Sequence, residues 1–209
     1  AQHSSAIHWT TSGDGIFDNP NTLTAVYTPG STDILMGSVF LKLSVLGSLT
    51  CSADTTADSL NVFIEQLPVA HAGLDDTICE NWTYRLAGYG EHSISSLWTT
   101  LGDGSFDDPS LPDAFYTPGT GDQAAGSVRI ILTVFGTGTC TTEFNRDTLK
   151  LVLNKLPFVD VGPDAAICAN QDYTCLANVQ RQSGIEWNTT GDGIFSNRYI
   201  LNPVYDPGP

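Results

Sequence analysis

The stretch Trp98-Thr99-Thr100-Leu101-Gly102-Asp103-Gly104-Ser105-Phe106 occurs three times in this chain. The other copies are Trp9-Thr10-Thr11-Ser12-Gly13-Asp14-Gly15-Ile16-Phe17 and Trp187-Asn188-Thr189-Thr190-Gly191-Asp192-Gly193-Ile194-Phe195. The differences 98 − 9 and 187 − 98 both give 89. The same spacing links Tyr27, Tyr116 and Tyr205, each followed two residues later by Pro-Gly. It also links Cys51 to Cys140, Cys79 to Cys168, and Leu67-Pro68 to Leu156-Pro157. A period kept without insertion marks a tandem repeat, and a repeat has to be read before a fold.

A unit of this length exceeds the roughly 20–50 residues of solenoid repeats and is long enough to bury a core of its own. Each repeat is therefore expected to be a domain. The divisions fall at 1–68, 69–157 and 158–209. The first lacks its initial strands, the second is complete and the third lacks its last strands. Residues 179–209 correspond to 1–31, so the partial ends overlap. The chain reads as a window on a longer array.

The complete repeat reads as short strands. Val69 to Cys79 is a first strand broken by a turn at Gly73–Asp76, and Trp82 to Gly88 a second. Ile94 to Thr100 is a third and carries Trp98. Gly102-Asp103-Gly104 is read as a tight turn whose glycines supply positive φ. Pro109 and Pro112 confine the next stretch to short edge strands or loop, and 116–126 reads as loop. In Val128 to Phe135, Val128, Ile130, Leu132 and Val134 alternate onto one face. Val39, Leu41, Leu43 and Val45 repeat the pattern. A last strand carries Leu149, Leu151 and Leu153. No stretch reads as helix. About seven short strands with frequent turns predict an all-β sandwich of the immunoglobulin-like type, with Trp9, Trp98, Trp187, Tyr27, Tyr116 and Tyr205 as its core signature. Leu-Pro junctions without a flexible spacer predict a semi-rigid rod.

The net charge is −15, with 23 acidic and 8 basic residues. That balance argues against nucleic acid or an anionic membrane as a direct partner. Nothing reads as a membrane-spanning segment. Five cysteines, four of them in repeat-equivalent pairs, predict disulfides and an oxidising compartment.

Ala72-Gly73 and Val161-Gly162-Pro163-Asp164, then Ile78-Cys79-Glu80-Asn81, then Trp-Thr-Thr-x-Gly-Asp-Gly, resemble the PKD-like or Ig-like repeats of large Bacteroidota cell-surface proteins. The resemblance covers the whole chain. It departs from PKD domains in the longer segment between Tyr116 and Val128. It implies a β-sandwich, export (commonly by the type IX route), and a place in stalks, adhesins or surface filaments. It also implies O-glycosylation at Asp-Ser/Thr-aliphatic sites, here Ser59, Thr77 and Thr148.

Among chemistry-bearing residues, Asp14, Asp103, Asp107 and Asp192 are the candidates for calcium, with Asp18 and Asp108 nearby. Calcium wants six to eight converging oxygens; the competing reading is that these aspartates bond their own turn backbone. Ser196 and Asn197 stand where Asp107 and Asp108 stand one repeat earlier. His3, His8, His71 and His92 form no arrangement with a nucleophile and an acid, so no catalysis is expected. Asn81-Trp82-Thr83 and Asn188-Thr189-Thr190 match the N-glycosylation pattern by coincidence.

Cys51, Cys79, Cys140 and Cys168 are the disulfide candidates. Within a sandwich Cys79 and Cys140 fall at opposite poles, roughly 25 Å apart, whereas a disulfide needs Cα atoms within about 7 Å. A staple between neighbouring domains and an intradomain pair both stay open. Cys175 replaces Leu86 and is expected as a buried thiol.

The function expected is a non-catalytic extracellular structural repeat of a surface protein, forming a semi-rigid stalk or filament connected with adhesion. Its partners would be neighbouring repeats and copies associating laterally or end to end. The other readings are a glycan- or protein-binding Ig-like module and the stalk of a secreted enzyme.

Overall fold

The computed structural model describes residues 4–208. In chain order the first elements are β1 (Ser4–Thr11), β2 (Ile16–Phe17), β3 (Tyr27–Thr28), α1 (Ser31–Met36), β4 (Ser38–Gly47) and β5 (Thr55–Phe63). Next come β6 (Val69–His71), β7 (Asp76–Cys79), β8 (Tyr84–Arg85), β9 (Tyr89–Glu91), β10 (Ser93–Thr100), β11 (Ser105–Phe106), β12 (Phe115–Thr117), α2 (Thr120–Ala125), β13 (Ser127–Gly136) and β14 (Phe144–Asn154). The last are β15 (Phe158–Asp160), β16 (Tyr173–Thr174), β17 (Asn178–Gln180), β18 (Ile194–Phe195) and β19 (Val204–Asp206).

Residues 69–154 close into a sandwich. One layer is the sheet β10-β13-β14-β7. The other is built from β11-β12-β8 and β6-β9. Alternation along β13 and β14 sends Ile130, Leu132, Val134, Leu149, Leu151 and Leu153 inward against Ala72, Leu86, Trp98 and Tyr116. Full burial of such an aliphatic side chain contributes roughly 1.5–3 kcal/mol. The first strand serves both layers. Gly73, at φ 96°, turns it from β6, paired with β9, to β7, which runs parallel to β14. Where it leaves the sheet, the Ala70 amide donates to Asn145 Oδ1 at 3.1 Å and the Ala72 amide to Asp147 Oδ2 at 2.8 Å.

The sheet β1-β4-β5 repeats this register. Trp9 pairs with Leu43 as Trp98 pairs with Leu132, and each first strand is irregular between its first and third residues. Yet Trp9, Tyr27, Leu43 and Val45, expected to be buried like their counterparts, are only half-buried. Residues 1–68 contain no stretch equivalent to β6–β9, which covers this face in the next unit. In 158–208 the small sheets β15-β17 and β16-β19-β18 form, but residues 183–189 join no sheet, because their counterpart β10 is held by β13; the Trp187 amide still donates to the Arg198 carbonyl at 2.8 Å. An apolar cleft of about 380 Å³ lies there, lined by Tyr173, Cys175, Trp187 and Tyr205. Cys175 is buried, as expected at the Leu86 position.

Two expectations are corrected. The stretch 116–126 is not all loop: α2 occupies it, and α1 the matching place. Helices of six residues leave no periodic signature. They are set by their ends: Gly119 caps α2 with its amide bonded to Asp122 Oδ2 at 3.1 Å, and Gly126, at φ 73°, closes it. The strand expected over 82–88 reduces to Tyr84–Arg85, continued by single bonds from Leu86 N to Ala114 O and from Gly88 N to Pro112 O.

The accessible area is 13599 Å². A compact monomer of this mass exposes about 9,400 Å², and three separate units of a third that mass about 12,700 Å².

Candidate functional site

The Gly-Asp-Gly turn is a dense polar structure, and Asp122 organises it. Asp122 is 3% exposed. Its Oδ2 accepts the Tyr116 hydroxyl at 2.6 Å and the amides of Gly104 and Gly119, both at 3.1 Å. Its Oδ1 accepts the Asp103 amide at 3.3 Å. Asp103 answers in kind: Oδ1 takes the Asp122 amide at 3.0 Å and Oδ2 the Gly121 amide at 2.8 Å. Thr100 Oγ1 meets the Tyr116 hydroxyl at 3.1 Å and accepts the Gly102 amide at 3.0 Å. Two aspartates thus cap each other's backbone and tie β10 to α2 through one tyrosine.

The same lock stands in the first unit. Asp33 Oδ2 takes the Tyr27 hydroxyl at 2.5 Å and the amides of Gly15 and Gly30, both at 3.1 Å. Asp14 takes the amides of Thr32 at 3.0 Å and Asp33 at 3.2 Å. In the third, Thr189 Oγ1 lies 3.3 Å from the Tyr205 hydroxyl, and Asp192 packs against Gly208.

The glycines of these turns are needed for space. Positive φ falls on Gly37, Gly73, Gly126, Gly138 and Gly162 among the described glycines, so the expectation of positive φ at Gly-Asp-Gly is corrected. A Cβ on Gly102 would sit 1.7 Å from Asp122 Oδ1, and one on Gly104 would sit 2.2 Å from the Tyr116 hydroxyl.

The electrostatics follow from these contacts. Backbone amides of Gly121 and Asp122 hold the Asp103 carboxyl below its usual pKa. The Tyr27 hydroxyl, then the surrounding amides, lower that of Asp33. Burial, reinforced by the bond to Asp122, pushes the Tyr116 phenol up to about 12.

Of the calcium candidates, Asp14 and Asp103 already bind turn amides through both oxygens. Asp107 Oδ1 is taken by the amides of Asp108 and Phe115, both at 2.7 Å. Asp108 Oδ1 accepts the Ser110 amide at 2.9 Å and hydroxyl at 2.6 Å, and Asp18 Oδ1 accepts the Asn19 and Val26 amides. Ser196, in the place of Asp107, accepts the Val204 amide at 3.1 Å, so the hydroxyl does one of the carboxylate's jobs. Among the described residues no three His, Cys, Asp or Glu side chains are grouped to hold a metal ion.

Cys79 ends β7 opposite Asn154, the last residue of β14, while Cys140 lies just before Phe144, its first. A strand of that length spans about 30 Å, so the two thiols sit at opposite poles, too far apart to bond within the unit. Cys140 Sγ lies 3.9 Å from the Glu65 carbonyl, at the junction with the preceding unit. Cys51 and Cys168 are exposed, and all five thiols are free.

Ser59, Thr77 and Thr148 are exposed on strand faces. Each is preceded by an aspartate that accepts its amide, at 2.8, 2.7 and 2.8 Å respectively. His8 bonds Asn21, and His71 stacks on Tyr89 and lies 3.3 Å from Glu91. His3 is outside the described residues.

A second cluster, which the sequence reading did not single out, holds the 154–157 junction. Glu80 Oε1 accepts the Leu156 amide at 3.1 Å, and its other oxygen lies 3.3 Å from Lys155 Nζ. Gln123 Nε2 donates to the Glu80 carbonyl at 3.1 Å, and Lys155 Nζ to the Gln123 carbonyl at 2.7 Å. From the following unit, Arg181 Nε donates to the Leu156 carbonyl at 2.7 Å. Arg181 and its counterpart His92 both hold positive φ, 59° and 51°. At the 65–68 junction Ile34, Gln66 and His92 replace Gln123, Lys155 and Arg181. The contact there is Glu65, whose carboxylate accepts the Thr139 amide and, at 2.7 Å, its hydroxyl.

No protein-family model matches the chain, and no curated protein matches it. Solved structures similar to it include extracellular cadherin domains 1–4 of protocadherin gamma B7, at 12% identity and TM-score 0.44, covering 97% of this chain and 59% of that one. Titin domains I67–I69 match at 9% identity and TM-score 0.43, covering 97% and 77%. The N-terminal eight Ig domains of Down syndrome cell adhesion molecule match at 12% identity and TM-score 0.41, covering 95% and 32%.

Proposed function

We propose that this chain is a non-catalytic structural repeat of an extracellular surface protein, a semi-rigid stalk divided at 1–68, 69–157 and 158–209. The observation that carries the reading is the reuse of one lock. The special residues of the first two units bind their own backbone, in the same geometry, 89 residues apart. The clamped junction at Glu80, Lys155 and Arg181 supports units laid out in series. Among the described residues no helix is long and apolar enough to cross a membrane. Solution X-ray scattering tests the layout. A compact chain of this length has a radius of gyration of about 17 Å; a stalk gives a value at least half as large again, and about 17 Å would refute it.

Within that stalk, Cys79 and Cys140 are proposed to bond to neighbouring units, since each stands at a junction. A Cys79–Cys140 crosslinked peptide in non-reducing mapping of monomer would contradict this. Ser59, Thr77 and Thr148 are proposed as O-glycan acceptors because all three are exposed behind an aspartate; intact mass of native material equal to the bare polypeptide would end that proposal.

A further inference from the structure

The outward face of β10-β13-β14-β7 differs in charge from the chain as a whole. Strand alternation and register place Ser95, Leu97 and Thr99 on it from β10, and Arg129, Ile131, Thr133 and Phe135 from β13. From β14 come Phe144, Arg146, Thr148, Lys150 and Val152, and from β7 Thr77 and Cys79. Three of the eight Lys and Arg residues stand here, all exposed, in a chain of net charge −15; the one carboxylate at the edge, Asp75, accepts the Lys150 backbone amide at 2.7 Å. The acidic residues of these strands, Asp76 and Asp147, are on the alternate positions.

Arg129 and Lys150 are directly opposite each other across the β13–β14 pair. Like charges so placed repel and destabilise a sheet. Neither cationic head has an ion-pair or hydrogen-bond partner among the described residues, whereas Arg146 is braced by Thr133 Oγ1 at 3.2 Å and the Phe144 ring. The groove beside them, about 560 Å³, is also lined by Asp103 and Asp122, whose oxygens are already taken by their own turn. Leu97 and Phe144, 39% and 55% exposed, give the face an apolar component. Arginine and aromatic groups with few carboxylates are what a protein interface collects. The corresponding face of β1-β4-β5 has Phe40, Ala57 and Asn61 at the three cationic positions.

We propose that this face is a lateral docking surface for a second copy of the chain, which presents carboxylates to Arg129, Arg146 and Lys150. Charge complementarity identifies the partner. The remainder of the molecule carries 22 of the 23 acidic residues against five cations. Screening over about 8 Å at physiological ionic strength suppresses the long-range repulsion of two acidic chains and leaves contact pairs effective. A partner carboxylate between Arg129 and Lys150 also removes their mutual repulsion. Such a contact joins unlike surfaces, so it propagates into sheets or bundles rather than closing as a dimer. The proposal goes beyond the stalk reading: that reading is tested by the shape of the monomer, this one by its association.

The test is sedimentation velocity of the unmodified 209-residue chain, since a glycan on Thr148 would cover the face. Wild type is expected to associate with rising concentration at physiological ionic strength and to dissociate at about 0.5 M salt, where the screening length is a few ångströms. R129E/K150E is expected to weaken association at least tenfold, and R129Q/K150Q, the milder change, to weaken it less. Carbodiimide coupling of mixed isotope-labelled copies is expected to join Lys150 to a carboxylate of the other copy. A monomer at every concentration at physiological ionic strength overturns the proposal, as does association unchanged in the folded variants. Monomeric wild type that binds an acidic polysaccharide through this face overturns it in favour of that ligand.

Discussion

Trp98 and Trp9 make the same hydrogen bond. Each donates its indole N–H at 3.1 Å to a carbonyl thirteen residues on, Leu111 and Thr22 respectively. Each faces a leucine of the neighbouring strand, Leu132 or Leu43. Trp98 is 1% exposed, while Trp9 is only half-buried. Leu149 and Leu60 diverge further, at 1% and 47% exposed. The polar frame is local: turn, lock and strand pair form from residues within one run of sequence. Burial is a property of two layers, and it needs β6–β9. Directional bonds therefore specify where each unit's parts go, and the apolar layer determines how firmly they stay.

The sharpest way to break this comparison is to remove both tryptophans in turn. Trp98→Ala is expected to cost about 3–5 kcal/mol, as a large side chain lost from a closed core. Trp9→Ala should cost about 1–2 kcal/mol, since less apolar area leaves contact. Amide hydrogen exchange separates the units. Protection should fall across β13 in the first variant and only modestly across β4 in the second. Equal losses would mean that covering by β6–β9 is not what distinguishes them.

The next effect is alkaline. The Tyr116 phenol is raised to about 12 in the fold, from about 10 when unfolded. Its contribution is fully present below pH 10 and is lost as pH rises towards 12, because only the unfolded chain then releases the proton readily. The 69–157 unit should weaken over that interval. Tyr116→Phe should flatten the dependence and cost about 1.5–3 kcal/mol at neutral pH, the worth of a hydrogen bond to a charged group. Ultraviolet titration of the tyrosines together with denaturant midpoints decides it; a Tyr116 titrating near 10 in the folded chain would contradict the lock.

The smallest effect is acidic. Asp33 and Asp103 have native pKa values held down by the tyrosine hydroxyl and by turn amides respectively. Their contribution is present above the ordinary carboxylate pKa near 4 and disappears as pH falls through the lowered native values. Urea midpoints should therefore drop below about pH 4, and Asp103→Asn should reduce that slope in the 69–157 unit alone.

The periodic parts of this molecule were legible in the sequence. Trp98, Tyr116 and the alternation in Val128–Val134 placed the main sheet, because each repeats and each follows strand geometry. Asp33 and Asp122 were not singled out, although they organise the locks. The signal was present: an aspartate six residues after the tyrosine and three after the glycine, in both full copies of that segment. It was hidden inside a stretch read as loop, where α1 and α2 are too short to show a period. Asp14 and Asp103 were noticed for a calcium role, and their oxygens are bound to neighbouring amides. The Glu80–Lys155–Arg181 cluster joins residues from two units, and no spacing within one unit announces it.

The parallel pairing of β7 with β14 has a mechanical side. The 69–157 unit takes up the chain at Val69 and passes it on at Pro157, and the pair formed by Asp76–Cys79 and Leu151–Asn154 lies between those points. Tension drawn through the array would slide these two strands along each other in opposite directions. Their hydrogen bonds would then carry load together, in shear, instead of opening one after another as in a peeled hairpin. Such a unit resists a pull along the chain far better than a pull across it.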